Sequence, residues 1–113
     1  MQNETRDVSE VRKGLGLSLD VLAAASALSV SQIRFVETRP ESSDPRTVRN
    51  RLVYARALMA WRLAQGGTAE QAWQLNEAEL FGMAEPDREI VMGEVRAAAE
   101  RIRKQRAEEV AAR

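Results

Sequence analysis

The chain has 113 residues, 44% of them hydrophobic, with 17 Lys/Arg balanced by 17 Asp/Glu, a length and apolar content that suit a single domain with one core. It contains neither cysteine nor histidine, which excludes disulfide frameworks, Cys/His zinc sites, thiol nucleophiles and imidazole acid–base catalysis. No carboxylate stands at a recognisable spacing from a nucleophile or a metal-ligand cluster, so no catalytic residue, metal site or cofactor is assigned and the chain is read as a non-enzyme.

Strand signals are almost absent. There is no sustained two-residue alternation, aromatics make up 4% of the chain, and Ala, Leu, Arg, Glu and Gln dominate, so the fold class is all-α. The N-terminal residues 1–6 are polar and expected to fray. A first helix is predicted from about Asp7 to Lys13, with Val8 and Val11 inward and Gly14 and Gly16 available to end it.

Ser18 caps a second helix that carries Leu19, Leu22 and Ala23 and ends near Ala25. Ser29 restarts a third, and Gln32 three residues on completes a capping box, with Ile33 and Val36 inward. The segment from Arg39 to Pro45 holds two prolines and is a loop, and Asp44-Pro45 opens a fourth helix at the position where no N–H is needed. Along it Val48, Leu52, Ala55, Met59 and Leu63 form one apolar face, and Tyr54, Leu58 and Trp61 a second. A helix apolar on two sides belongs at the centre.

Gly66-Gly67 stops the fourth helix. Thr68 with Gln71 caps a short helix holding Ala72, Trp73 and Leu75, and Asn76 with Glu79 caps a further turn carrying Leu80 and Phe81. Together these make a helical hairpin packed on the fourth helix. The last helix runs from about Asp87 to Ala111, with a stripe of Val91, Val95, Ala98 and Ile102. The chain thus divides into a four-helix unit at 1–65 and a helical extension at 66–113.

The zero net charge hides a gradient. Residues 1–65 carry ten Lys/Arg against seven Asp/Glu, and residues 66–113 carry seven against ten. The basic excess lies in Arg34, Arg39, Arg46, Arg49, Arg51, Arg56 and Arg62, a side-chain type whose forked guanidinium suits phosphate. The longest apolar run, near Val21 to Ala25, is too short for a bilayer, and residues 1–10 lack signal-peptide character, so no membrane association is expected and the chain is read as intracellular and soluble.

Between Leu17 and Thr38 the spacing is the signal. Leu22, Leu28, Ile33 and Val36 form an apolar joint, and a small Ala23 lies where two helices cross at roughly 90–120°. The run Gly16-Leu-Ser-Leu-Asp-Val-Leu-Ala-Ala-Ala-Ser-Ala-Leu-Ser-Val-Ser-Gln-Ile-Arg-Phe-Val-Glu37 resembles the helix-turn-helix of the Cro and phage-repressor superfamily. Shared features are a Leu-Ser opening, Ala in the second helix, a Leu-Ser-x-Ser entry to the third and a Glu near its end. The likeness covers about residues 8–58. It departs at Ala27, where the family usually has Gly, and at the proline-bearing loop after Glu37.

The resemblance implies a cytoplasmic, sequence-specific transcription regulator, bacterial or encoded by a phage or plasmid, that binds double-stranded DNA through its third helix, commonly as a dimer. Carried onto this chain, it sets Ser29, Ser31, Gln32, Arg34 and Phe35 against DNA or its rim, with Thr38 and Arg39 further along and Arg46 on phosphate. Gln32 suits adenine and Arg34 guanine, while Ser29, Ser31 and Arg39 suit phosphate. Gln32 cannot fully serve cap and base together.

The stripe Val91, Val95, Ala98 and Ile102 is assigned to the dimer contact, the alternative being that it folds back on its own domain; Arg-Lys-Gln-Arg at 103–106 offers a second course, along a DNA backbone. A different function stays open: a protein-interaction module, such as an anti-activator or a factor that binds RNA polymerase or another regulator through its acidic second half. A repeat of the motif in that half fails, because Gly82 and Glu85 replace the apolar joint.

Overall fold

The computed structural model describes residues 8–39, 42–75 and 88–112. Within them the chain is all-helical: α1 (Val8–Gly14), α2 (Leu19–Ser26), α3 (Val30–Thr38), α4 (Pro45–Ala64), α5 (Ala69–Gln74) and α6 (Arg88–Ala111). Helix starts follow the caps. The Ser18 hydroxyl accepts from the Val21 N–H, reciprocal boxes join Ser29 with Gln32 and Thr68 with Gln71, and Asp44 precedes Pro45 at the head of α4. The Asn76 and Glu79 cap, Leu80 and Phe81 lie outside the described residues, as do the expected helix starts at Asp7 and Asp87 and the side chain of Val8.

The end of α4 requires glycine. Gly66 has φ +101°, and a Cβ on Gly67 would stand 2.9 Å from the Arg62 carbonyl oxygen. Gln65 then donates to the Leu15 carbonyl at 2.7 Å, fastening this end of α4 to the turn between α1 and α2.

Helix α4 is central, in contact with α2, α3, α5 and α6. Its two apolar faces serve two clusters. Tyr54, Ala57 and Leu58 meet Val11, Leu17, Leu22, Leu28, Ile33 and Val36. Met59, Ala60 and Leu63 meet Ala72, Trp73, Val91, Met92, Val95, Ala99 and Ile102. Residues 66–113 therefore complete a core on a helix drawn from residues 1–65.

This second cluster corrects the expected dimer stripe. Val91, Val95 and Ile102 are buried against α4 of their own chain, and Ala98 packs at the edge of the same cluster. Their spacing of three and four marks an intrachain seam, since burial against a neighbouring helix produces the same periodicity as a two-fold contact. In the 103–106 run, whose four residues are exposed, Arg103 donates to the Leu63 carbonyl at 2.7 Å and the Arg106 guanidinium lies 5.6 Å from the centre of the Trp61 ring. Both arginines finish the end of α4. No single helix among the described residues is long and apolar enough to cross a membrane.

Candidate nucleic-acid interface

Helices α2 and α3 form a sharply bent pair, with the chain direction turning by 106° between them. The turn is set by Ala27, which adopts φ 65° and ψ 15° and donates its N–H to the Ala23 carbonyl at 3.0 Å. A left-handed alanine costs about 1 kcal/mol or more. The strain is held by neighbours: Leu22, Ile33 and Val36 are fully buried and Leu28 nearly so. The turn thus keeps its tight form without glycine.

One face of α3 is consumed by that joint, and the rest faces solvent. Ser31, Gln32, Arg34, Phe35, Thr38 and Arg39 are exposed, as are Ser29 at the cap and Arg46 at the start of α4. The structure therefore brings seven of the eight residues expected at DNA onto one short helix and its cap.

Their polar groups are not equally available. The Gln32 side-chain oxygen Oε1 accepts from the Ser29 N–H at 2.9 Å, and the Thr38 hydroxyl donates to the Arg34 carbonyl at 2.9 Å. The Ser29 oxygen accepts from the Gln32 N–H at 3.0 Å, which leaves its own O–H free to donate. Ser31, Arg34 and Arg46 make no side-chain hydrogen bond or ion pair among the described residues. Arg39 stacks on Phe35, its guanidinium 5.5 Å from the ring centre. Outward polar capacity thus concentrates in Ser31, Arg34, Arg39 and Arg46, with Gln32 bound into the cap.

The arginine patch is smaller than the composition suggests. Arg51 donates to the Ser42 carbonyl at 2.8 Å, Arg56 pairs with Glu94 of α6 at 2.9 Å, and Arg62 donates to Gln71 at 3.1 Å. What remains exposed is Arg34 on α3, Arg39 at its C-terminal cap, and Arg46 and Arg49 on the first turns of α4. Among the described residues, no group of carboxylates is placed to hold a metal ion.

Behind α3 lies a feature that sequence reasoning missed. Arg12 of α1 is buried, donating from Nε to Glu37 Oε2 at 2.6 Å and from Nη1 to the Leu17 carbonyl at 2.8 Å. The Tyr54 hydroxyl of α4 donates to the same Glu37 oxygen at 2.6 Å. One carboxylate thus ties α1, α3 and α4 together. The signal was present: Glu37 follows Ile33 by four residues, on the buried stripe, where a charge demands a cation.

The hydrogen bond to Glu37 and its charge push the Arg12 guanidinium up against the opposing effect of burial. Burial, then the Glu37 hydrogen bond and charge, push the Tyr54 phenol well above its ordinary value of 10.0. The folded chain therefore keeps a proton that the unfolded chain loses near pH 10. Stabilisation is full below that pH and falls as pH rises through and beyond it. Urea unfolding from pH 8 to 11 is expected to show this decline in the parent and to show less of it in Tyr54→Phe. Tyr54 is the one tyrosine of the chain, so phenolate absorbance reports its titration directly.

No family model, curated protein or solved structure matches the chain.

Proposed function

We propose that the chain is a sequence-specific DNA-binding transcription regulator that seats α3 in the major groove. The observation that carries this reading is the division of α3. Ile33 and Val36 are wholly buried, Glu37 is clamped, and the remaining face presents an uncommitted Arg34 and Ser31 beside a stacked Phe35 and Arg39. A nine-residue helix held rigidly from behind, with base-reading and phosphate-binding side chains outward, suits entry into the groove. The Cro-like spacing from Gly16 to Glu37 and the 106° bend support the same reading.

Arg34 is assigned to a base edge, Ser29, Ser31, Arg39 and Arg46 to phosphate, and Gln32 to the cap first. If two copies bind a two-fold site, they meet through a surface other than the Val91, Val95 and Ile102 seam, which α4 already fills. The test is binding to duplexes selected from a random pool by the purified full chain. Arg34→Ala is expected to lose selective affinity by about 1–3 kcal/mol at one position of the site. Arg46→Ala is expected to weaken all duplexes alike and to lower the salt slope by about 1. Equal affinity of the parent for selected and random duplex at moderate salt overturns the proposal.

A second reading, a protein-interaction module that engages RNA polymerase or another regulator, is favoured by the acidic balance of residues 66–113, seven Lys/Arg against ten Asp/Glu. Residues 68–113 complete the core, so changes on the exposed surface of α6 test this reading. Ile90→Glu and Val110→Glu probe the surface without opening the seam.

A further inference from the structure

Phe35 is an anomaly on α3. Its neighbours Ile33 and Val36 are wholly buried, yet its ring is 47% exposed on the outward face, and among the described residues it is the exposed aromatic. The core does not need it there. The turn before it carries Ser31 and the turn after it Arg39, whose guanidinium covers one face of the ring. Thr38 beside it has turned its hydroxyl onto the carbonyls of Arg34 and Phe35, at 2.9 and 3.4 Å. The result is an apolar surface, steadied by a cation and bordered by the unpaired guanidinium of Arg34.

The major groove offers one apolar group among the four unmodified bases, the C5-methyl of thymine, and a phenyl ring is one of the side chains that contact it. Resting on the DNA-binding reading above, we infer that Phe35 reads a thymine methyl, with Arg39 as a positioning residue that holds the ring and carries charge toward the adjacent phosphate. The site then has a two-part specificity. Arg34 selects by hydrogen bonding and Phe35 by burying a methyl group that carries no hydrogen bond.

The distinction is open to a one-atom-group experiment. In a duplex selected by the full chain from a random pool, each thymine is replaced in turn by uracil, which keeps every hydrogen-bonding group and removes the methyl. Affinity is measured for the parent, Phe35→Ala and Arg34→Ala. At one thymine of the contacted site, uracil is expected to weaken the parent about fourfold and to leave Phe35→Ala unchanged, the size of one buried methyl group. Arg34→Ala keeps the uracil penalty. The urea midpoint of Phe35→Ala is expected to match the parent, since the ring supports no core.

If uracil acts equally on the parent and Phe35→Ala at every thymine, or if the selected site has no thymine, the methyl reading is overturned while DNA recognition stands. If the chain selects no site at all, both readings fail. Phe35→Ala with unaltered DNA binding would instead assign the exposed ring to a protein contact and overturn the inference.

Discussion

Replacing Arg12 with alanine is expected to lower the unfolding free energy by about 3–5 kcal/mol, because it leaves the Glu37 carboxylate buried without its cation. The two side chains are 7% and 8% exposed, and among the described residues the Tyr54 hydroxyl is then the remaining side-chain donor to the carboxylate. A domain of this size has about 5–15 kcal/mol of stability in total. The loss is therefore large enough to populate unfolded chain near body temperature.

The double variant Arg12→Met with Glu37→Leu is expected to be less destabilised than the sum of its single changes, since it removes both charges and their desolvation together. Urea denaturation of the four proteins measures the coupling. A sum that simply adds would mean that the pair does not act as a unit.

The second large effect is at the seam between α4 and α6. Val95 is 1% exposed among Met59, Ala60, Val91 and Met92. Val95→Asp places a carboxylate in the apolar seam, where the facing Arg56 is already paired with Glu94, and is expected to cost about 3 kcal/mol or more. Val95→Ala removes two methyl groups and is expected to cost roughly half as much or less. The exposed change Ile90→Asp on the same helix is expected to stay within about 0.5 kcal/mol of the parent. Circular dichroism during thermal unfolding separates the three. An unfolding midpoint of Val95→Asp equal to the parent would show that α6 does not close the second core.

Both effects bear on what could be read from residues in order. Caps and stops were legible because their chemistry is local: Ser18, Ser29, Thr68, Asp44-Pro45 and Gly66-Gly67 mark helix boundaries with side chains that act within three residues. The central position of α4 was legible too, from apolar residues on two faces. The partner of the α6 stripe was not. A seam against α4 and a seam against a second copy have the same period, and choosing between them needs the distance between helices forty residues apart in sequence. The arginines show the same limit. Arg51, Arg56 and Arg62 resemble Arg34 and Arg46 in sequence, and only the fold shows that Ser42, Glu94 and Gln71 occupy them. Arg12 was overlooked for a related reason, since Glu37 lies 25 positions away from it and Tyr54, the second donor to that carboxylate, 42.

The division of α3 into a clamped face and an open one also bears on how such a protein diversifies. Ile33, Val36 and Glu37 hold the helix in place, and the Ser29 cap secures its beginning. Ser31, Arg34 and Phe35 carry no structural duty, so exchanging them leaves the scaffold intact. On the proposed DNA-binding reading, new target sequences are then reachable by changing three side chains with no compensating change in the core.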